Sequence, residues 1–240
     1  MKKTKRLLSL ILAFAMMFAL TACGGTEAGD GESYSNPPQS QQTVKDNSKQ
    51  PETTPEPDPV VENSFDAVSA VTVEQLDGAV KYIFNTLPQS AEDIKSLIAV
   101  YPVTDRHNTV AFFMASLVRY IEDTQEGLAM IDVLKGPEKL SDTAKAFIKE
   151  RFSDKLYLPK AYFEGAAPEN NYEPDSPWTL IIYDDPVAPP DGYAYVKVAT
   201  SGADSPRRIT LRLKGEENWL WEYNGVLMSI RLPANEDPWR

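Results

Sequence analysis

Arg208-Ile209-Thr210-Leu211-Arg212-Leu213, followed beyond Gly215 by Trp219-Leu220-Trp221-Glu222-Tyr223, carries the clearest structural signal in the chain. Ile209, Leu211 and Leu213 alternate with polar residues, and successive side chains of a strand point to opposite faces, so one face is apolar and the other meets water. Trp219, Trp221 and Tyr223 alternate in the same way, and Gly215 in the short connection makes the two runs a hairpin. Rings at period two read as the core side of a strand. Displayed on an open face instead, they would stack on sugar rings and make a glycan binder. On the polar face, Arg208 and Arg212 are expected to meet acidic cross-strand neighbours such as Glu222, in exposed pairs worth ~0 to 1 kcal/mol.

Working outward, Trp178 to Asp184 and Tyr193 to Thr200 are further short runs rich in β-branched and aromatic residues, bounded by Pro, Gly and Asp. Upstream the period changes to three and four. Thr72 with Gln75 forms a capping box before Val73, Leu76, Val80, Ile83 and Leu87, which predicts a first helix. Ser90 caps a second, ended by Pro102. Asn108 opens a third, broad and apolar, and Thr124 a fourth that stops at Gly136-Pro137. Ser141 caps a fifth. Helices first and strands second argue for an α+β domain: about five N-terminal helices packed on a C-terminal antiparallel sheet of about four strands. A sheet curved around helices in this manner resembles the NTF2-like cone, an analogy of fold alone.

Composition narrows the chemistry. The 240 residues carry 24 Lys plus Arg against 35 Asp plus Glu, a net charge of −11, with one Cys and one His. An intrachain disulfide, or a metal cage of Cys and His, needs more ligands than that. Nucleic-acid binding rests on clustered basic residues, and outside the first six residues this acidic chain has no basic block, so no nucleic-acid partner is expected. No cofactor is implied.

The N-terminus is an address. Lys2, Lys3, Lys5 and Arg6 precede Leu7 to Leu20, a run of 14 residues that only Ser9 interrupts. It is too short for a membrane-spanning helix of about 20 residues and suits a secretory signal over residues 1–22. Leu20-Thr21-Ala22-Cys23 resembles the lipobox of bacterial lipoproteins. That resemblance implies diacylglyceryl attachment at Cys23, cleavage before it, and a lipid-anchored protein on the extracytoplasmic face of a cell membrane of Gram-positive type. Residues 23–64 hold the lipidated Cys and a Pro-, Ser- and Glu-rich tether with too few apolar residues to order itself. As a coil it would reach roughly 35 Å. Residues 65–240 remain as one globular domain. Cleavage removes four positive charges and no negative ones, leaving −15, of which −9 falls on the domain.

Within the domain, Tyr162-Phe163-Glu164-Gly165-Ala166, Pro168-Glu169-Asn170-Asn171-Tyr172 with Pro174, Ser201-Gly202-Ala203-Asp204-Ser205-Pro206-Arg207, Trp219 to Glu222 and the closing Asp237-Pro238-Trp239 form a string of words in fixed order. It resembles a family of secreted or lipid-anchored clostridial proteins described as a domain of unknown function. The resemblance supports the address and carries no catalytic residue with it.

Two loops hold the ligand-binding candidates. In the first, which also holds Tyr172, Glu164, Glu169, Glu173, Asp175 and the amides of Asn170 and Asn171 offer oxygens of the kind Ca²⁺ takes, but without the spacing of a calcium loop, so no metal is assigned. A proline-pinned loop whose Asn side chains satisfy its own backbone is the simpler reading. Asp204 and Arg207 lie in a small-residue segment that would cradle an anion or simply turn the chain. Glu164 with Asp184 or Asp185 would supply the acid and base of a hydrolase if they shared a pocket. His107, before the third helix, reads as a cap or an exposed polar residue. With no concentrated catalytic constellation, the expectation is a non-catalytic binding module facing a cell-wall glycan or an envelope protein; the alternative is a small carboxylate-dependent hydrolase of the envelope.

Overall fold

The computed structural model describes residues 65–239. The expected signal, Cys23 and the expected tether lie outside the described residues. A single helical turn, α1 (Ala67–Ala70), leads into a hairpin of β1 (Val71–Leu76) and β2 (Ala79–Phe84). The helices α2 (Ala91–Val100), α3 (Arg106–Glu122), α4 (Thr124–Leu134) and α5 (Asp142–Phe152) follow. The chain then returns to the sheet as β3 (Trp178–Asp184), β4 (Tyr193–Val198), β5 (Arg207–Lys214) and β6 (Glu217–Glu222). The domain is mixed α+β, with six described strands in the order β1-β2-β3-β4-β5-β6, each antiparallel to its neighbour.

Six strands correct the expected four, because the first expected helix is a hairpin. Val73, Leu76, Val80 and Ile83 are spaced as on a helix, yet Asp77-Gly78 sits among them, and Gly78 adopts φ +68°. Asp-Gly supplies the positive φ that a tight hairpin turn needs. In β2 the pattern is period two: Val80, Tyr82 and Phe84 are buried, while Lys81 and Ile83 are half-exposed. Burial against a sheet partner on each side outweighs a capping box, which is a local preference of about 1 kcal/mol. The sheet is open, and this meander does not establish the NTF2-like cone.

One face of the sheet is covered by helices. α3 is the centre of that layer: its residues from His107 to Val118 are all buried, between strands on one side and α4 on another, and α2 packs on α4. Val80, Tyr82, Phe84, Leu180, Ile182, Val196, Val198, Ile209, Leu211 and Leu220 project from the strands into the same core. Ser90 caps α2 in a capping box with Asp93, and Ser141 caps α5. α3 starts two residues earlier than Asn108, because Asp105 is its cap and accepts from the His107 N–H. The opposite face of β4, β5 and β6 is left to other uses.

Candidate functional site

That outer face is built by register. Tyr193 of β4 stands opposite Arg212 of β5, Tyr195 opposite Thr210, and Lys197 opposite Arg208. Arg212 in turn faces Trp219 of β6. The ladder between β5 and β6 slips between Thr210 and Leu211: Thr210 pairs with Glu222 and Leu211 with Leu220, so Trp221 is the extra residue of a bulge. Leu220 therefore enters the core, and Trp219 and Trp221 stay outside it. The expectation that Trp219, Trp221 and Tyr223 pack inward together is corrected for both tryptophans; Tyr223, past the bulge, is buried. Trp221 keeps 41% of its surface exposed.

Guanidinium groups lie on these rings. Arg208 sits 4.4 Å from the Tyr195 centroid, and Arg212 sits 4.5 Å from Tyr193 and 5.9 Å from Trp221. The Tyr193 and Trp221 rings meet edge to face at 6.4 Å. From the end of α4, the Lys135 ammonium approaches Trp221 to 5.6 Å. Cations over ring faces are attracted by the ring quadrupole, by about 0.5–1 kcal/mol where exposed. Arg208 and Arg212 do not meet Glu222 as expected. Arg208 donates through Nε to Asp185 at 2.6 Å, and Lys197 lies 3.2 Å from the same carboxylate. Burial alone would raise the Asp185 pKa, but the Arg208, Val187 and Lys197 donors prevail and hold it at about 2. Lys135 is pushed the other way: burial lowers its pKa, against the pull of Glu138 and Asp132.

A groove of about 200 Å³ runs between Lys135, Pro137 and Glu138 on one wall and Arg212, Lys214, Trp219 and Trp221 on the other. Gly136 packs against Trp219, one of the lining residues. Its φ is +64°, and a Cβ there would lie 2.5 Å from the Trp219 ring, so the helix ends in a left-handed cap that lets the indole approach.

The candidates named from the sequence lie elsewhere. Glu164 pairs with Lys81 at 3.3 Å. Asn170 spends its side chain inside its own loop, accepting from the Ala167 N–H and donating to the carbonyls of Gly165 and Glu173. Asn171 is left-handed at φ +57° and accepts from the Asn235 N–H. Tyr172 is fully buried, stacks on Tyr157 at 5.3 Å, and donates to the Arg231 carbonyl; burial pushes its phenol up to about 12. Asp204 pairs with Arg231, and Arg207 reaches the Tyr162 hydroxyl from the half-buried end of β5. Exposed Glu169 lines a hollow with Ser201, Arg231 and Asp237. The two loops are thus brought together, with the Ser201 hydroxyl donating to the Ala166 carbonyl at 2.6 Å. The joint is made by Arg231, in a C-terminal segment that carries no sequence signal, and most polar groups in it are already partnered.

No shared acid–base pocket forms. Asp184 accepts from Arg106 at 2.5 Å and lies 3.1 Å from His107 Nε2, while His107 Nδ1 lies 2.7 Å from Asp105. The Arg106 hydrogen bond first, with the charges of Arg106 and His107, lowers the Asp184 pKa against a partial burial penalty. His107 is buried between two carboxylates, in contrast to the exposed residue or cap expected. Glu164, Asp184 and Asp185 belong to three separate ion-pair groups. Among the described residues no group of three or more His, Cys, Asp and Glu is placed to hold a metal ion, and no helix is long and apolar enough to cross a membrane.

Fold and surface define an α+β domain with an open antiparallel sheet, one face of which is a core and the other a ladder of rings and cations. The chain belongs to the family described as domain of unknown function DUF6935, whose model matches residues 86–234. No curated protein matches it, and no solved structure does.

Proposed function

We propose that this protein is a membrane-anchored surface lipoprotein, tethered through diacylglyceryl Cys23 on the extracytoplasmic face, whose domain binds cell-wall glycan without chemistry of its own. The observation that carries the reading is Trp221, two-fifths exposed on the helix-free face and flanked by Tyr193 and Arg212. Aromatic rings with an apolar body and polar neighbours are suited to sugars and to interfaces. The resemblance to clostridial secreted proteins supports the address, and the acidic tether fits a domain held away from an anionic membrane. An envelope protein is the second partner class. The hydrolase reading has less support, because its three carboxylates are engaged separately.

The test is retention of the full-length chain on purified wall polysaccharide, with Trp221→Ala beside it. Retention that falls at least tenfold in the variant is expected; no retention of the unaltered protein sinks the glycan reading. For the anchor, Cys23→Ser is expected to abolish fatty-acid labelling, and a variant that still labels overturns the lipobox.

A further inference from the structure

We infer that the groove between the end of α4 and the β5–β6 hairpin is a subsite for one acidic sugar residue, a pyranose bearing a carboxylate, within a polysaccharide. This rests on the glycan-binding reading and specifies its ligand.

Charge is the first argument. The domain is net negative, yet the groove is lined by Lys135, Arg212 and Lys214 against the single carboxylate of Glu138. Among the described residues, none of these three cations has an ion-pair partner within 4.0 Å. Arg208, one step along the same strand, is by contrast consumed by Asp185. The Arg212 guanidinium carbon lies over the Tyr193 ring, 4.5 Å from its centroid. The ring contact holds the guanidinium in place without using its N–H donors on a carboxylate, a group it matches in two parallel hydrogen bonds. Lys135 is half-buried, so its ammonium is short of water that an anion would replace.

Size and shape are the second. About 200 Å³ is below the roughly 300–1,000 Å³ of pockets that enclose drug-sized ligands. It admits one ring, with the polymer continuing outside. Trp221, exposed beside the two cations that approach its ring, adds apolar surface for a sugar, which a linear polyanion could not use. A peptide adding as a strand is disfavoured, because the free edge of β6 is closed at Asn218: its N–H donates to the Val103 carbonyl at 2.8 Å and its side chain to those of Val103 and Thr104.

Calorimetric titration of the full-length protein with trigalacturonate and with neutral galactotriose tests this. Trigalacturonate is expected to bind at least tenfold more tightly than galactotriose, Arg212→Gln to bring the two affinities together, and Trp221→Ala to weaken both. Equal affinity for the two sugars, or a preference that survives Arg212→Gln, overturns the inference and leaves glycan binding standing. So does retention on wall polysaccharide without binding of either trisaccharide. If tripolyphosphate or hexaglutamate displaces trigalacturonate at equal charge concentration, the site reads charge alone and the inference is wrong. Absence of binding to both trisaccharides and to wall polysaccharide overturns this inference and the glycan reading together.

Discussion

The Arg208 guanidinium donates to Asp185 across 2.6 Å, and the carboxylate side chain is wholly withdrawn from solvent while the arginine is not. Asp185 holds Arg208 over Tyr195 and draws Lys197 to the same point, so one buried acid organises the β3 end of the outer face.

The pH dependence follows from that pair. The folded Asp185 pKa of about 2 lies below the ~3.9 of an unfolded Asp. Its contribution is therefore complete above pH ~4 and is lost as pH falls from ~4 toward 2. Asp185→Asn should cost about 1–2 kcal/mol at pH 7, since Arg208 keeps access to water, and should flatten the loss of stability below pH 4. Urea unfolding at pH 7, 4 and 3 measures both; an unchanged acid slope would refute the assignment.

The turn at Gly78 distinguishes a hairpin from a helix directly. In a helix interior, Gly78→Ala would stabilise by about 1 kcal/mol. At φ +68° the added Cβ meets no neighbour but demands a left-handed backbone, costing about 1–2 kcal/mol. A lowered denaturation midpoint is expected, and a raised one would contradict the β1–β2 hairpin.

Gly136 couples stability to the groove. Alanine there combines the left-handed cost with an overlap against the Trp219 ring, so a loss of about 2–3 kcal/mol is expected, with a changed tryptophan emission. A variant with unaltered emission and unfolding midpoint would show that the indole does not rest on this glycine.

Beneath the sheet, the buried Tyr82 hydroxyl donates to Asn108 Oδ1 at 2.7 Å, and the Asn108 amide donates to the Pro102 carbonyl at 2.9 Å. Burial, with Asp105 nearby, pushes the Tyr82 phenol far above its ordinary range, so it remains a donor at any pH of use. Asn108→Ala leaves the phenol unpaired and should destabilise by about 1–3 kcal/mol. Tyr82→Phe should cost less than the alanine variant, and the reverse order in thermal unfolding would sink this account.

Local signals were enough for α2, α4 and α5, because Ser90, Ser141 and Gly136 satisfy helix-end groups within a few residues of themselves. They were enough for the last four strands as well, where alternation and turn residues agree. They misled at residues 71–84, where apolar spacing fits both periods and the choice falls to the strands that pair there, with β3 lying about 100 residues downstream. The candidate site was the least legible part. Asn170, Asn171 and Tyr172 look like ligands in a string of letters, but an amide or phenol cannot reveal from sequence that a neighbouring carbonyl already accepts its proton.

By itself, the sequence determined the acidic balance, the α+β class and the fact that Trp219 and Trp221 share one face, since side-chain alternation is a property of the strand alone. Which face that is, and that Tyr223 lies on the other, only the tertiary structure decided. A one-residue bulge opposite Thr210 and Leu211 changes the phase of the strand, and its placement depends on pairing between chains of atoms that local pattern cannot register.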